Sequence, residues 1–444
     1  MSRLQANCPG RIIGTVKRST AENDGVKARG VKQGFKENLL EADGEDFNYY
    51  SHVAKLTSVR STLFRPRRRS RRIAIRDVST AFLQSRRYEG FVKYVTFKNP
   101  LTKEWEYYRQ LGPIYGEASA PVRWENTITP WLTDEDQKDP EVEPPMGFTR
   151  GDNEPSVFYH EEKDLLVLLY VDDVLVDGEE ADVKWFFDRL GDRFQCKEEE
   201  WLSEQSPLDY LGMEIIQKDG RLHLSMYKYI QSMLKALTWD TLSTARAHTP
   251  ISAPIEGGTP LNASQRKTFM TAVGCVGWLV NTGRPDVAYA ASRIAQHLAN
   301  PTTSALNAIK RVCAYLKRTA HLSLSVVIDQ DDMDIDPAAA ASSDIQFTDD
   351  WEFYCDSDFA GNTEVQNARR SQNGYIALSG GAPVYWTSKV SSVAFAHPAI
   401  GEAHADVSSG AAEVYASGNA ANDFLYLSYT AGECGLDFPQ PLVL

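Results

Sequence analysis

The sequence predicts an α+β protein of several domains, and three observations support that prediction. Short apolar runs bounded by turn residues, such as the run at 165–178, are typical of β-strands. A helical apolar period marks residues 301–318, where Leu306, Ile309 and Leu316 share one face. The length of 444 residues, of which 42% are hydrophobic and 24% charged, suits a globular chain of two to four domains.

The predicted elements follow one another as short strands, then helices, then strands again. Residues 10–40 alternate β-prone runs with the turn signal ENDG, which predicts a hairpin. The run IAIRDV predicts a buried strand that ends at Asp77. A linker punctuated by Pro and Gly at 249–260 precedes two predicted helices, the second of which ends near residue 318. Three β-like runs and a helix from about 409 to 429 complete the chain.

Composition excludes several classes of protein. No apolar run reaches the roughly 18 residues that span a bilayer, and the N-terminus has no signal-peptide core, so we expect no membrane partner. The six cysteines are scattered and form no CxxC pair, which indicates reduced thiols in an intracellular protein, cytoplasmic or nuclear. The eight histidines form no zinc-binding pattern.

The net charge of −13 is unevenly distributed along the chain. The first 90 residues contain 19 Lys and Arg against 9 Asp and Glu, a charge of +10, so the other 354 residues carry −23. A basic N-terminal region on an acidic body is compatible with a polyanion bound at one place. It is equally compatible with a solvated charge asymmetry that has no partner.

Two adjacent aspartates, Asp172 and Asp173, interrupt the apolar run at 165–178. Burying neighbouring carboxylates without a cation is costly, so the pattern predicts a tight hairpin with both carboxylates at its tip, facing either water or a cation. Asp77 ends another apolar strand. Three carboxylates that converge from two strand ends would form a hard oxygen-ligand site suited to magnesium. Two such ions about 3.5–4 Å apart can support an in-line phosphoryl transfer.

Eight blocks of the chain resemble, in the same order, those of copia-type LTR retrotransposon polymerases, in which a reverse transcriptase precedes a ribonuclease H domain. YVDD (170–173) resembles the YxDD box of that family, and RDVSTAFLQ (76–84) resembles its first metal-binding motif. The other blocks are DGVKARGVKQGF (24–35), VAKLTSVR (53–60), GPIYGEASAPVRW (112–124), YLGMEI (210–215), RPDVAYAASRI (284–294) and AIKRVCAYLKRT (308–319).

The resemblance covers roughly residues 15–444 and implies a right-hand reverse transcriptase with fingers, palm and thumb, followed by a truncated ribonuclease H-like α/β domain. The implied activity is RNA-directed DNA polymerisation from deoxynucleoside triphosphates on an RNA/DNA template-primer, with Mg²⁺ or Mn²⁺. The alternative is an inactive retroelement remnant that at most binds nucleic acid. The oligomeric state stays open. The implied segments are a tail (1–14), fingers and palm (15–248), thumb and connection helices (249–328), an acidic linker (329–350) and the partial nuclease domain (351–444).

The resemblance also implies roles for individual residues. Asp77, Asp172 and Asp173 would be the catalytic, metal-binding carboxylates of the palm. The implied nucleotide-binding residues are Phe82, Lys27, Arg29, Tyr115, Gly116 and Pro121, and the implied primer-grip residues are Tyr210, Leu211 and Gly212. Each of these assignments has a structural alternative. Phe82 would be a core phenylalanine, the two basic residues would be solvated, the Tyr115 segment would be an ordinary turn, and the primer-grip segment would be a structural strand.

Two segments depart from the family pattern. YCDSDFAG and SSGAAEVYA resemble ribonuclease H motifs and make Asp356 and Glu413 metal ligands, but the third carboxylate of that site is missing before the chain stops at FPQPLVL. We therefore expect an incomplete and inactive nuclease domain. Residues 65–72 place six arginines where the family has an apolar helix, and arginines are not expected to line a core. This segment could contact template phosphates, act as a nuclear import patch or reflect decay of the element.

Overall fold

The computed structural model folds into two compact units, one formed by residues 1–54 and 74–200 and the other by residues 55–73 and 201–444. None of the helices in the described part of the chain is long and apolar enough to cross a membrane. The structure describes residues 8–17, 25–36, 47–65, 71–89, 92–99, 101–134, 145–251, 254–327, 351–358, 370–394 and 409–434.

Helices and strands are both abundant, as the predicted α+β class requires. The helices are α1 (Leu56–Phe64), α2 (Ala81–Gln84), α3 (Ala120–Leu132), α4 (Glu180–Arg193), α5 (Tyr227–Ala236), α6 (Ala263–Thr282), α7 (Ala288–Ala295), α8 (Thr303–Arg318) and α9 (Ser409–Glu433). The strands are β1 (Cys8–Lys17), β2 (Gly25–Lys32), β3 (Arg71–Asp77), β4 (Lys93–Lys98), β5 (Trp105–Gln110), β6 (Thr149–Arg150), β7 (Val157–His160), β8 (Leu165–Tyr170), β9 (Asp173–Glu179), β10 (Glu200–Trp201), β11 (Leu208–Tyr210), β12 (Met213–Lys218), β13 (Arg221–Ser225), β14 (Ser323–Val327), β15 (Trp351–Ser357), β16 (Arg370–Ser379) and β17 (Ala382–Ala394).

The first unit is built on two sheets. One has the strand order β2-β1-β4-β5, and its antiparallel β1–β2 pair confirms the predicted N-terminal hairpin. The other has the order β10-β3-β9-β8-β7-β6. Strand β8 is buried from Leu165 to Leu169 because the apolar run LLVLL lies in the middle of this sheet, and helix α4 packs on β9 through Val183, Phe186 and Leu190. The predicted strand ending at Asp77 is confirmed as β3.

The second unit contains an antiparallel sheet of order β11-β12-β13-β14 and a three-stranded sheet of order β15-β16-β17. The two predicted helices are confirmed as α7, which follows a short 3₁₀ turn, and α8, whose predicted apolar face is buried. Helix α6 begins with a capping box in which Asn262 and Gln265 bond each other's backbone N–H groups. Helix α9 packs on β15 and β16. The division into five named segments stays a prediction.

The arginine-rich segment 65–72 corrects one expectation. Helix α1 is present and is buried from Ser58 to Phe64, so the chain keeps a helix ahead of β3. Arg65 and Arg71 are only 9% and 7% exposed, so the expectation that these arginines would lie outside a core was wrong for both. Residues 66–70 lie outside the described residues, as does the predicted acidic linker at 329–350.

Arg60, on the same helix, illustrates how a guanidinium can be buried. It donates hydrogen bonds to the carbonyl oxygens of Val384 at 2.7 Å and Asn281 at 2.7 Å, and its guanidinium carbon lies 4.1 Å from the centre of the Trp386 ring. Burial lowers the pKa of Arg60 to about 9. Because carbonyl oxygens and an aromatic face replace water around the cation, arginine is tolerated in this interior.

Candidate active site

The Asp pair lies at the tip of the β8–β9 hairpin. Tyr170 is paired with Asp173, which leaves a two-residue turn of Val171 and Asp172, so the predicted tight hairpin is confirmed. Val171 has a φ of +61°, a conformation that is rare for a β-branched residue. Such backbone strain costs on the order of 1–3 kcal/mol and persists only where the surroundings stabilise it. The turn therefore needs support from outside the hairpin.

Two hydrogen bonds supply that support. The indole Nε1 of Trp124 donates to the carbonyl oxygen of Val171 at 2.7 Å, and the backbone N–H of Val78 donates to the carbonyl oxygen of Asp172 at 2.8 Å. Trp124 is 2% exposed on α3, and its ring centre lies 5.2 Å from that of Phe194. The indole is thus fixed by packing as well as by its hydrogen bond. Reasoning from the sequence assigned no role to Trp124.

The three predicted carboxylates come together at this end of the sheet. Strand β3, which ends at Asp77, is the neighbour of β9, and Val78 bonds the turn directly. Burial, followed by the negative charges of Asp172 and Asp77, raises the pKa of Asp173 to about 6. The three aspartates therefore interact electrostatically and are called the cluster below, and their predicted role as a metal site stays a prediction.

Lys197 already pairs with one of these carboxylates. Its Nζ lies 2.7 Å from Oδ2 of Asp77, and its backbone N–H donates to the Asp77 carbonyl oxygen at 2.9 Å. Nothing in the sequence QCKEEE distinguishes this lysine from a solvated one, so sequence reasoning missed it. In the parts of the chain that the structure describes, no group of three or more His, Cys, Asp and Glu side chains is arranged to hold a metal ion.

The donor chemistry of the cluster nevertheless fits a divalent cation. Carboxylate oxygens are the hard ligands that magnesium prefers. Burial, and after it the charges of Asp172 and Asp77, raise the pKa of Asp173, and a bound cation would favour the ionised carboxylate. Ligation of a metal by Asp77, Asp172 and Asp173 stays a prediction.

The predicted nucleotide-binding residues Phe82 and Tyr115 contact each other, with ring centres 5.4 Å apart. The next residue, Gly116, has a φ of +81°, and a Cβ at this position would lie 2.1 Å from the carbonyl oxygen of Lys32. Lys32 N–H donates to the Tyr115 carbonyl oxygen at 2.7 Å, and Gly34 N–H donates to the Gly116 carbonyl oxygen at 3.0 Å. Only glycine allows the end of β2 to approach this turn so closely.

The remaining predicted nucleotide-binding residues lie on elements joined to the same turn. Lys27 and Arg29 are on β2, paired with Thr15 and Ile13 of β1, and their side chains lie outside the described residues. Pro121 lies in the first turn of α3, where its missing N–H leaves no helical hydrogen bond unmade.

A buried polar network beneath this turn centres on Glu117. Lys93 Nζ lies 2.7 Å from its Oε1, Tyr88 OH donates to Oε1 at 2.6 Å, and Gln110 Nε2 donates to Oε2 at 2.9 Å. Burial favours the neutral acid, but the charges of Lys32 and Lys93, together with hydrogen bonds from Lys93 and Tyr88, hold the pKa of Glu117 below its usual range. The network ties β4 and β5 to the segment that begins α3.

A pocket behind the Val171–Asp172 turn is lined by both Val171 and Trp124. At its polar side Glu125 accepts hydrogen bonds from the backbone N–H of His52 at 2.8 Å and from Arg150. Burial opposes ionisation of Glu125, but the hydrogen bonds from His52 and Arg150 lower its pKa overall. The Glu125 carboxylate is thus neutralised by Arg150 and hydrogen-bonded by His52 within the pocket.

The predicted primer-grip residues form a tight turn in the second unit. Tyr210 is paired with Met213, and the two residues between them, Leu211 and Gly212, have φ values of +50° and +78°. Two consecutive positive φ values are typical of the type I′ turn that joins twisted antiparallel strands. Tyr210 is 2% exposed, so its side chain lies in the core of this unit. A contact with primer stays a prediction.

The predicted nuclease ligands are both exposed. Asp356 lies on β15 and is paired with Gly374 of β16, and its Oδ1 accepts a hydrogen bond from the Ser357 N–H at 2.8 Å. Glu413 is exposed on α9, the helix that packs on β15. Their part in a metal site stays a prediction.

Comparison with known proteins matches residues 6–253 to the family described as reverse transcriptase (RNA-dependent DNA polymerase). A putative transposon Ty5-1 protein of Saccharomyces cerevisiae is 28% identical over 325 residues, which cover 70% of this chain and 92% of that protein. The retrovirus-related Pol polyprotein from transposon RE2 of Arabidopsis thaliana is 29% identical over 375 residues, 82% of this chain. The chain covers only 22% of that polyprotein's length.

Among solved structures, the foamy viral protease-reverse transcriptase in complex with RNA/DNA hybrid is similar at a TM-score of 0.47 and 10% identity. That similarity covers 95% of this chain and 43% of the viral chain.

Proposed function

The chain belongs to the reverse transcriptase (RNA-dependent DNA polymerase) family, in the branch of copia-type retrotransposon Pol polyproteins, and from this premise we propose that it is an active RNA-directed DNA polymerase. Its substrates would be deoxynucleoside triphosphates and the 3′-hydroxyl of a primer on an RNA template. The observation that supports this most strongly is the cluster of Asp77, Asp172 and Asp173 at one sheet end, around a strained turn held by two hydrogen bonds.

Enzymes of this family generally use divalent metal ions, and we propose Mg²⁺ or Mn²⁺ held by these three aspartates. The bound ions would neutralise phosphate charge and activate the primer hydroxyl. The protein's own task is to hold its ligands in place, which the bonds from Trp124 and Val78 to the turn support. Lys197 pairs with Oδ2 of Asp77, so a cation would either compete with this ion pair or bind the other carboxylate oxygen.

We assign the incoming nucleotide to the surface beside Phe82 and Tyr115. An aromatic ring at Phe82 would pack against the sugar and disfavour a 2′-hydroxyl, and the contact with Tyr115 supports a fixed ring position. Lys27 and Arg29, on the strand joined to this turn, would neutralise triphosphate charge. The Tyr210–Gly212 turn would grip the primer strand.

The alternative is a catalytically inactive remnant that at most binds nucleic acid. It is favoured by the lack, within the described residues, of a three-membered metal group, and by the pairing of Asp77 with Lys197. We further propose that β15–β17 and α9 form a ribonuclease H-like part, in which exposed Asp356 and Glu413 would be two of the metal ligands.

A primer-extension assay on poly(rA)/oligo(dT) separates the two possibilities. We expect extension by the unmodified chain and its loss in Asp172→Asn, which keeps the size of the side chain but removes the charge. Asp188→Asn makes the same change at a position whose side chain is 65% exposed on α4, and it should retain activity. Failure of all three proteins to extend, with template-primer still bound, would support the remnant.

A further inference from the structure

The β4–β5 hairpin of the first unit exposes an unusual number of aromatic side chains. β5 is the outermost strand of its sheet, and Trp105 and Tyr107 are 52% and 67% exposed. Aromatic side chains bury more apolar surface than most other residues. Leaving them in water therefore loses a large favourable contribution to the free energy of folding. A row of exposed rings on an edge strand also invites unwanted pairing between molecules. The fold alone does not explain these rings.

Negative charge is confined to one face of this hairpin, whereas aromatic rings lie on both faces. Side chains alternate along a strand, so Trp105, Tyr107 and Arg109 share one face. Their partners across β4 are Lys98, Thr96 and Tyr94, which share that face. This face, the aromatic-cation face, thus combines three rings with two cations. The single carboxylate of the two strands, Glu106, lies on the opposite face, where its hydrogen bonds with Tyr108 and Asn99 hold it.

We propose that the aromatic-cation face binds single-stranded RNA, with bases stacked on Trp105 and Tyr107 and phosphates paired with Lys98 and Arg109. Every base offers a flat face to an aromatic ring, so such a surface binds without strong sequence preference. Rings two residues apart on a strand are separated by about 6.6 Å, a spacing that suits successive bases of an extended strand. The absence of negative charge from the face matches a polyanion.

The choice of RNA rests on the proposed function, since an RNA-directed polymerase must hold unpaired template. The binding itself does not depend on catalysis, so it can be tested separately. The test uses the full chain carrying Asp172→Asn, in EDTA and without nucleotides, and a fluorescein-labelled unstructured 20-nucleotide RNA followed by anisotropy. Loss of polymerase activity in every assay would therefore leave this measurement intact.

We expect Trp105→Leu and Tyr107→Leu each to weaken RNA binding at least about fivefold, the lower limit for losing one stacked base. Lys98→Gln combined with Arg109→Gln should reduce the slope of log affinity against log salt by about 1.4, or about 0.7 for each cation lost. The matched control is Tyr108→Leu, which removes a ring from the same strand on the opposite face. It should bind RNA as the parent does.

Three outcomes would overturn the proposal. The first is equal RNA affinity in the Tyr107→Leu and Tyr108→Leu proteins, with both folded by circular dichroism. The second is a loss confined to single-stranded DNA of the same length, which would remove the assignment to RNA. The third is concentration-dependent self-association that Tyr107→Leu abolishes without changing RNA affinity, which would make this face a contact between copies of the chain.

Discussion

The buried pair of Glu117 and Lys93 allows the sharpest quantitative prediction. The side chains are 0% and 3% exposed and lie 2.7 Å apart, so neither charge has water to replace its partner. Replacing Glu117 by Leu leaves the buried Lys93 ammonium without its ion-pair partner and also removes the negative charge that acts on buried Lys32. Removal of one member of a buried ion pair costs about 3–5 kcal/mol in free energy of unfolding. The network's contact with Gln110 and Tyr88 is lost in the same variant.

A double-mutant cycle isolates the pair from these other contacts. Glu117→Leu with Lys93→Met removes both charges and replaces them by side chains of similar volume, which is often nearly neutral. We therefore expect the double variant to recover at least about 2 kcal/mol of the free energy of unfolding that Glu117→Leu loses. Two sites that do not interact would deviate from additivity by no more than about 0.5 kcal/mol. Urea unfolding of the four proteins, followed by tryptophan fluorescence, measures the free energies.

The pH dependence of the cycle gives an independent check. The pKa of folded Glu117 lies below the ordinary value of 4.5, so its ionised form adds stability above that pH, and the contribution is lost as the pH falls through the lowered folded value. The coupling should therefore fade in acid. Additive effects at pH 7, or a Glu117→Leu loss below about 1 kcal/mol, would refute this account of the network.

Three further predictions concern the Val171–Asp172 turn and the surface beside it. Trp124→Phe should cost about 1 kcal/mol of stability and lower primer extension, whereas Trp131→Phe, about 10 Å further along the same helix, should leave extension unchanged. Gly116→Ala should raise the KM for deoxynucleoside triphosphates because its Cβ displaces the end of β2, while Gly112→Ala, whose Cβ meets nothing closer than 3.6 Å, should not. Asp173 has a folded pKa of about 6 against an ordinary 3.8, so its contribution to stability is present at low pH and is lost as the pH rises between those values. Asp173→Asn should accordingly raise the melting temperature at pH 7.5 relative to the parent, but not at pH 3.5.

Much of the fold was predictable because local patterns and burial agree along the strands and helices. The apolar run before Tyr170 becomes the buried strand β8, and the helical period at 301–318 becomes α8 with the expected face buried. The arginine-rich segment was misjudged because composition reports the average cost of burial. It cannot reveal that Arg65 and Arg71 are buried, nor the carbonyl oxygens and aromatic face that surround a guanidinium such as that of Arg60.

The candidate site was predictable only as far as the identity of its charged residues. Adjacent aspartates between apolar strands pointed to a hairpin tip, and Asp77 at the end of another strand pointed to the same sheet edge. Lys197 was missed because a lysine among glutamates carries no pattern, and the Glu117 network because its members are scattered over the chain. Partners brought together by tertiary structure have no signature in local sequence.

The strained turn shows why the YVDD motif (170–173) cannot determine the conformation of the turn by itself. A hairpin with a non-glycine residue at positive φ is unfavourable by itself, so the conformation of Val171 must be imposed by other segments. One hydrogen bond comes from Trp124, 47 residues earlier, and the other from Val78, directly after Asp77. The bond from Val78 to the Asp172 carbonyl oxygen therefore holds the turn and also holds the end of β3, which carries Asp77, beside it. A Trp124 variant that relaxes the turn should disturb both strand ends together, since they share one hydrogen-bonded arrangement.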